Sequence, residues 1–208
     1  MVDYGMGNLY SVVKAIEHVA PAAEVSLTAE PGAIGAADRV VFPGQGAARD
    51  CMAEIAARGL RAAIRTAAAE KPFLGICMGL QVLFERSAEG DTACLGLFPG
   101  RVERFDAARM VDADGARLKV PHMGWNNVRQ AAHPLWAGIA DQARFYFVHS
   151  YFVVPGAADL AVGYSDYPDP FVCACARDNV FAVQFHPEKS ASDGLRLLAN
   201  FVTWDGKR

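Results

Sequence analysis

Residues 73–84 (FLGICMGLQVLF) constrain the fold more than any other part of the chain. An apolar, strand-like run leads into Gly75-Ile76-Cys77-Met78-Gly79, and a second apolar run follows it. A strand that turns directly into a helix leaves its central residue little room, and glycine two positions before and after removes the side chains that would clash. Residues 39–42 end in a similar way, at Pro43-Gly44-Gln45-Gly46. Both runs predict buried strands that end in turns.

Helical patterns alternate with these strands in the first half of the chain. Residues 8–19 carry apolar residues at positions i, i+3, i+4 and i+7, the stripe of an amphipathic helix. Residues 50–70 are rich in alanine and favour helix, with a break at Gly59. A last helix is predicted over residues 193–202.

The second half consists mainly of strand-like runs, separated by turn signals at residues 112–115 and 167–170. Five such runs cover residues 102–105, 145–148, 160–164, 171–175 and 180–185. Alternating strands and helices followed by further strands predict a three-layer α/β fold, with a mostly parallel central sheet flanked by helices and with additional antiparallel strands. We expect residues 1–208 to form a single domain.

Composition narrows the class of function. Of 208 residues, 52% are hydrophobic and 21% charged, and the net charge of −3 is spread along the chain. Neither nucleic-acid binding nor membrane binding is indicated, because there is no basic cluster and no apolar run of the roughly 18–20 residues that a membrane span needs. No secretory signal is visible, and the five cysteines show no disulfide framework. We therefore expect a cytoplasmic protein.

Cys77 has the surroundings of a nucleophile. At a strand-to-helix turn, unpaired N–H groups favour negative charge on its sulfur, and the Met78 N–H is placed to donate to an oxyanion. The pattern alone leaves a second interpretation open, a buried cysteine without a reaction.

A thiolate nucleophile needs a base, and five histidines are available. His186 follows an apolar strand, and Glu188 is close enough in sequence to hold one imidazole nitrogen while the other faces Cys77. For these residues taken alone, an ordinary surface turn is the favoured interpretation. The glycines of residues 43–46 free the backbone to supply a second oxyanion donor, although a simple turn between strand and helix has the same composition.

Three segments taken together resemble the class I (triad) glutamine amidotransferases: residues 75–81 (GICMGLQ), 43–46 (PGQG) and 184–190 (QFHPEKS). In that family the cysteine attacks the side-chain amide of glutamine, forms a glutamyl thioester and releases ammonia. The resemblance implies that Cys77 is the nucleophile, His186 the general base and acid, and Glu188 the group that orients the imidazole. We expect neither a cofactor nor a metal ion.

Residues 3–8 (DYGMGN), 121–126 (PHMGWN) and 148–151 (VHSY) resemble, within this family, the glutaminase subunits of imidazole glycerol phosphate synthase. Those subunits act in histidine biosynthesis and form a heterodimer with a cyclase subunit that has a (β/α)₈ barrel. Ammonia passes through the barrel to a nucleotide substrate. The resemblance therefore implies glutamine as the substrate and such a cyclase as the partner.

The same resemblance implies roles for other residues. The pocket for glutamine would comprise Gly44, Gln81, Glu89, Ser150 and Tyr151. Gln45 would join Met78 in the oxyanion hole, on a loop that turns its N–H inward when the partner binds a ligand. The surface that faces the partner would comprise Asn8, Trp125, Asn126, Tyr146 and Lys189.

Simpler interpretations of four of these residues stay open. Trp125 and Tyr146 suit a hydrophobic core, and Gln81 and Lys189 suit solvent-exposed positions. The cysteines other than Cys77 have no base or motif beside them and are expected to be structural thiols.

Other functions compatible with the sequence are a glutaminase subunit for anthranilate or guanylate synthesis, a non-catalytic binding subunit that keeps the fold, and a γ-glutamyl hydrolase. Residues 121–126 argue against the first, and the complete triad argues against the second. The hydrolase would work without any partner.

Overall fold

The protein is built around a mixed β-sheet, described by a computed structural model over residues 1–112 and 114–207. Its helices are Leu9–Val19 (α1), Pro31–Ala36 (α2), Ala48–Ala57 (α3), Arg61–Glu70 (α4), Met78–Gln81 (α5) and Ala191–Thr203 (α6). Its strands are Val40–Gly44 (β1), Phe73–Cys77 (β2), Arg86–Ser87 (β3), Thr92–Ala93 (β4), Gly100–Arg104 (β5), His122–Asn127 (β6), Arg129–Gln130 (β7), Arg144–His149 (β8), Tyr151–Pro155 (β9), Ala161–Asp166 (β10), Pro170–Arg177 (β11) and Val180–Val183 (β12).

Three parallel strands form the part of the sheet that carries the glycine-containing turns of the sequence, in the order β1-β2-β12. The sheet continues through β11, β9, β5, β3 and β4, with β10 on β11 and β7 on β10. The strands β6 and β8 pair with each other as a separate antiparallel ribbon.

The α/β class is confirmed, but the sheet contains fewer parallel pairs than the sequence predicted. Apart from the short β3–β5 pair, parallel pairing within the described sheet is confined to β1, β2 and β12. In the second half, short turns join β10 to β11 and β11 to β12, and a short turn reverses the chain and allows only antiparallel pairing of its two strands.

Successive residues of the parallel strands face two separate cores. Phe42 and Phe73 pack with α3 and α4 on one side, whereas Val41 and Leu74 pack with α1 and α6 on the other. This alternation is the period of two that a β-strand imposes on its side chains. The helix stripe of α1 thus covers one face of the sheet and the alanine-rich helices cover the opposite face.

The predicted helices are found close to their expected bounds. The alanine-rich segment is divided at Gly59, whose φ of 66° is accessible to glycine without strain. The strand predicted over residues 180–185 ends at Val183, two residues early. The turn signal at residues 112–115 includes Ala113, which lies outside the described residues. No helix in the described ranges is long and apolar enough to cross a membrane.

Candidate active site

The carboxyl ends of the three parallel strands meet at one edge of the sheet. Gly44 of β1 pairs with Cys77 of β2, and β12 runs beside β2 with Val183 opposite Ile76. The chain leaves β12 at Val183 and reaches His186 three residues later. Parallel strands collect the residues that follow them at one edge, where open α/β sheets bind their ligands.

Cys77 occupies the strained turn that the sequence predicted. Its backbone has φ 57° and ψ −110°, a conformation that residues with a side chain rarely adopt. The helix that follows spans only Met78–Gln81. It is this short because the backbone of residues 95–98 hydrogen-bonds to carbonyl groups of Val82 and the two residues after it. Any stabilisation of charge on the sulfur therefore depends mainly on its immediate neighbours.

Close backbone contacts account for the two glycines beside Cys77. A Cβ atom on Gly79 would overlap the Phe42 carbonyl oxygen of β1. A Cβ on Gly75 would lie 2.8 Å from the Gly79 carbonyl oxygen and 2.9 Å from the Ala182 side chain. Only glycine at these positions lets the turn rest directly on the neighbouring strands.

His186 and Glu188 form an ion pair in the interior beside Cys77. The His186 Nδ1 lies 2.8 Å from the Glu188 Oε1, and their side chains are 3% and 1% exposed. The Nε2 atom makes no well-formed hydrogen bond within the described residues. Burial by itself lowers the pKa of His186, but the nearby Cys77 sulfur and the Glu188 carboxylate, which is hydrogen-bonded to Nδ1, raise it by more, to well above its usual value. The site thus favours imidazolium beside the sulfur.

Main-chain bonds to strand β8 hold this turn in place. The His186 N–H donates to the Tyr146 carbonyl at 2.9 Å, and the Tyr146 N–H donates to the Ser190 hydroxyl at 3.0 Å. Ser190 in turn donates to the His186 carbonyl at 2.6 Å. His186 is therefore held through its backbone as well as through Glu188.

A cleft of about 450 Å³ lies over Cys77. Of the residues predicted for the site and its surroundings, the cleft is lined by Gln45, Cys77, Met78, Gln81, Glu89, Ser150, Tyr151, His186 and Lys189. Gly44 and Glu188 lie behind it, around a small void that Asn8 also lines. A Cβ on Gly44 would overlap the Tyr4 hydroxyl, so this glycine shapes the wall of the site from behind.

Two polar side chains that line the cleft, Gln81 and Glu89, differ in their hydrogen bonding. Gln81 is 2% exposed, and its Oε1 has no hydrogen-bond partner within the described residues. The interpretation of Gln81 as a solvent-exposed helix residue is therefore wrong. The Glu89 Oε2 accepts from the Ala48 N–H at 2.7 Å, which ties the loop after β3 to the first turn of α3.

The predicted partner-facing residues divide into three places. Trp125 and Tyr146 are opposite each other on the ribbon, with ring centroids 6.2 Å apart, and the Lys189 Nζ lies 6.0 Å from the Tyr146 ring. Asn126 faces the other side of the ribbon, where its amide donates to the Asp166 carbonyl at 2.8 Å. Asn8 is exposed at the start of α1.

The outer face of the ribbon is an exposed apolar patch. Trp125 is 43% exposed and the nearby Met123 is 62% exposed. The interpretation of Trp125 as a core residue is wrong, and Tyr146 is half-buried. Large exposed apolar groups gathered on one face are typical of an interaction surface.

Two buried histidines beside the cleft, one of which lines it, were not singled out from the sequence. The His122 Nδ1 and the His149 Nε2 are 2.9 Å apart, and the His149 Nδ1 is 2.8 Å from the Tyr151 carbonyl oxygen. A carbonyl only accepts, so His149 carries its proton on Nδ1 and His122 carries its proton on the nitrogen that faces His149. Burial lowers the pKa of His122 to about 4 and that of His149 to about 3.

Because of this histidine pair, we expect the free energy of unfolding to fall as the pH becomes acidic. An unfolded imidazole binds a proton near pH 6.5, whereas the folded pair resists protonation until about pH 4, so the unfolded state gains protons as the pH falls between those values. The contribution of the neutral pair to the free energy of unfolding is fully present above pH 6.5 and is lost as the pH falls toward 4. We expect the free energy of unfolding of the wild type to fall by about 1–2 kcal/mol more than that of His122→Phe between pH 7 and pH 4.5. Urea unfolding at the two pH values measures this.

The exposed His18 offers a matched control, and His18→Gln is expected to follow the wild type. Equal losses of stability in the wild type and in His122→Phe would show that the pair does not carry the effect.

The remaining cysteines have the environment of structural thiols. All five cysteines are free and buried. Burial raises the pKa of Cys51 and that of Cys94 to about 11, and it raises the pKa of Cys173 and Cys175 further. At neutral pH these groups are thiols and not thiolates.

Comparison with known proteins places this geometry in a family. The family model for glutamine amidotransferase class-I matches residues 1–204. Imidazole glycerol phosphate synthase subunit HisH of Thiobacillus denitrificans is 69% identical over 206 residues, covering 99% of this chain and 90% of its own. The HisH subunit of Dechloromonas aromatica is 62% identical, covering 98% and 95%.

Solved structures agree on the fold at much lower identity. A crystal structure of a glutamine amidotransferase superposes with a TM-score of 0.71 at 16% identity, covering 97% of this chain and 95% of that one. A putative GMP synthase protein from Thermoplasma acidophilum gives 0.70 at 15% identity, with 97% and 89% covered. The chain belongs to the class-I glutamine amidotransferases and, within them, to the family of the HisH subunits of imidazole glycerol phosphate synthase.

Proposed function

We propose that this chain is the glutaminase subunit of an imidazole glycerol phosphate synthase, acting in histidine biosynthesis. It hydrolyses glutamine to glutamate and ammonia and delivers the ammonia to a cyclase subunit. The observation that carries the proposal is the strained Cys77 turn beside the buried His186–Glu188 pair, at the base of an open cleft.

The reaction begins when the Cys77 sulfur attacks the side-chain amide carbon of glutamine. Negative charge develops on the amide oxygen, where the Met78 N–H is available because the first residue of a helix has no intrahelical acceptor for its amide. The Gln45 N–H is proposed as the second donor. The His186 imidazolium, held by Glu188, gives its proton to the departing nitrogen, and ammonia leaves a glutamyl thioester on Cys77.

Hydrolysis of the thioester regenerates the site. His186, now neutral, removes a proton from water while the water oxygen attacks the thioester carbon. Collapse of the tetrahedral intermediate expels the Cys77 thiolate and releases glutamate, and the imidazolium re-forms beside it. Glu188 stabilises the charged imidazole in both halves of the reaction, consistent with the raised pKa of His186.

Glutamine is proposed to bind in the cleft with Gln81 as one of its anchors. The Gln81 Oε1 is buried without a partner within the described residues, and an unpaired acceptor is unfavourable until a ligand donates to it. Ser150, Tyr151 and Glu89 line the rest of the cleft, and Gly44 shapes its rear wall. These polar groups suit a substrate with both an ammonium and a carboxylate.

The partner is proposed to dock on the outer face of the ribbon. Trp125, Tyr146 and Lys189 lie together there, next to the mouth of the cleft. Asn8, at the start of α1, and Asn126, on the other side of the ribbon, are proposed as further contacts. We propose that the partner is a cyclase with a (β/α)₈ barrel. Ammonia leaving the thioester site would pass into this barrel without entering bulk solvent.

The test of the proposed function is glutamate release measured with and without such a cyclase and its nucleotide ligand. We expect release to rise by roughly tenfold or more when both are present, within the range of ordinary coupling between sites. Glutamate release that is equally fast in the chain alone would favour an independent hydrolase. No release under either condition would favour a binding subunit.

Removing the exposed tryptophan is expected to weaken the complex. Trp125→Ala should raise the dissociation constant for the cyclase by about 30-fold, because a buried tryptophan at the centre of an interface contributes about 2 kcal/mol or more. Titration calorimetry measures this. Thermal unfolding of the isolated variant serves as the control, since Trp125 is already 43% exposed. An unchanged dissociation constant would show that the outer face of the ribbon is not part of the interface.

A further inference from the structure

Gln184 is the least exposed polar residue next to the proposed nucleophile. It follows strand β12, its exposed fraction is 0%, and its Nε2 lies 3.7 Å from the Cys77 Sγ. Its Oε1 accepts from the Gln81 Nε2 at 2.9 Å. The catalytic scheme derived above uses neither of these contacts.

A backbone carbonyl fixes which end of the Gln184 amide faces the sulfur. The Gln81 Nε2 also donates to the Tyr151 carbonyl oxygen at 3.3 Å, and a carbonyl oxygen only accepts. Gln81 must therefore present its NH₂ group on this side. That group only donates, so Gln184 must present its oxygen to Gln81 and its NH₂ group to Cys77. Rotating either amide by 180° would set two donors or two acceptors against each other.

We propose that the Gln184 side-chain amide is a dedicated hydrogen-bond donor to the Cys77 sulfur that stabilises its thiolate, and that Gln81 and the Tyr151 carbonyl hold this donor in orientation. The proposal rests on the proposed function, because it assigns a role toward the thiolate that the glutaminase reaction requires. It adds to the triad a donor that contacts the reacting sulfur directly.

Cys94 is a buried cysteine whose sulfur faces a carbonyl oxygen, and a backbone hydrogen bond at Ser87 that favours its thiolate does not offset burial. Its sulfur lies 3.6 Å from the Thr92 carbonyl oxygen, to which a thiol donates and which a thiolate would face unfavourably. Burial raises the pKa of this thiol to about 11. At Cys77 the neighbouring amide offers N–H in place of a carbonyl oxygen, and an N–H donor favours the charged form of its acceptor.

The donor acts at both ends of the catalytic cycle. It stabilises the thiolate before attack on glutamine, and it stabilises the same thiolate when that group leaves the second tetrahedral intermediate. The thioester sulfur carries no charge, so the hydrogen bond is weakest between these two points. Loss of the donor should therefore slow both acylation and deacylation.

The experiment is the rate of Cys77 alkylation by iodoacetamide as a function of pH, measured by mass spectrometry on the full chain. In Gln184→Met, which keeps the length of the side chain and removes the donor, the pH midpoint of the rate should move upward by about one unit. In Gln184→Glu, which keeps the acceptor for Gln81 but adds a negative charge, the upward shift should be larger.

Gln130→Met is the matched control. Gln130 lies in β7, which carries none of the site residues, and its side chain donates to the Ala140 carbonyl. Its replacement should leave the alkylation midpoint unchanged. Cys77→Ser reports any labelling of other cysteines. Glutamate release in the complex should fall by about tenfold for Gln184→Met at neutral pH, with less loss at higher pH as the thiolate population recovers.

An unchanged alkylation midpoint in folded Gln184→Met would overturn the proposal, because a purely structural role lowers activity without moving the titration. Loss of the near-ultraviolet circular dichroism of the wild type would mean that Gln184→Met is not correctly folded. In that case an unchanged alkylation midpoint in Gln184→Glu would overturn the proposal instead. Failure of the proposed function looks different: Cys77→Ser would then release glutamate as fast as the wild type in the complex, whatever the Gln184 variants do.

Discussion

Cys77→Ala is expected to lower glutamate release in the cyclase complex by about 10⁴-fold or more, the largest effect of any single substitution in the chain. In the proposed reaction the Cys77 thiolate forms the covalent bond to the substrate, and no other described cysteine can replace it. Those cysteines are buried thiols whose pKa values are raised by burial. A coupled glutamate assay at saturating glutamine measures the loss.

The control for this substitution is Cys94→Ala, which removes another buried sulfur and should keep activity within about threefold. The double variant Cys77→Ala/His186→Ala should be no slower than Cys77→Ala alone, because members of a triad act as a unit. Wild-type activity in Cys77→Ala would exclude the thioester route. A further loss in the double variant would show that His186 acts on a different step.

Gly79→Ala is expected to destabilise the fold by at least about 3 kcal/mol, which is the largest predicted effect on stability. The added Cβ would overlap the Phe42 carbonyl oxygen, an atom of the β1 backbone that cannot rotate away. Relief requires the turn after Cys77 to separate from β1, which also moves the nucleophile. Urea unfolding measures the change in free energy, and glutamate release reports the displacement.

Gly35→Ala provides a matched control for the same atom added elsewhere. Gly35 lies in α2, and a Cβ there would meet nothing within 4 Å. We expect this variant to be more stable than the wild type by about 0.5–1 kcal/mol, because alanine favours helix over glycine. Similar destabilisation in both variants would mean that the contact with Phe42 is not the cause.

The turn at Cys77 was predictable from the sequence because its constraints are local. Two glycines at fixed distances from Cys77 require a tight turn whatever else the chain does, and the positive φ of Cys77 is the result. His186 and Glu188 are also local to each other, so their pairing required only that the chain turn at Pro187. That they face Cys77 was inferred from the resemblance to a family and not from spacing.

The amide network around Gln184 was not predictable in the same way. It joins side chains that are 103 positions apart in one hydrogen bond and 107 in another. In sequence Gln184 is one polar residue at the end of an apolar run, the pattern of many strand ends. Which polar groups meet in the interior depends on the exact stacking of β2, β9 and β12, and no local pattern encodes it.

The proportion of parallel strands was overestimated for a related reason. Apolar runs predict that strands exist and are buried, but strand direction depends on the connections. The turn at residues 167–170 joins β10 to β11 as an antiparallel pair, and a two-residue turn joins β11 to β12 likewise. A longer crossover, such as the helical connection from β1 to β2, is needed to return the chain in the same direction.

The contact between Tyr146 and the turn at His186 has a mechanical consequence. Tyr146 of β8 has its aromatic ring on the outer face of the ribbon. Its backbone carbonyl accepts from the His186 N–H, and its own N–H donates to the Ser190 hydroxyl. Strand β8 and the turn at His186 are therefore directly linked, and a displacement of the ring is transmitted to the backbone that positions the imidazole. Substitutions that loosen β8 should misalign the proton transfer before they weaken docking.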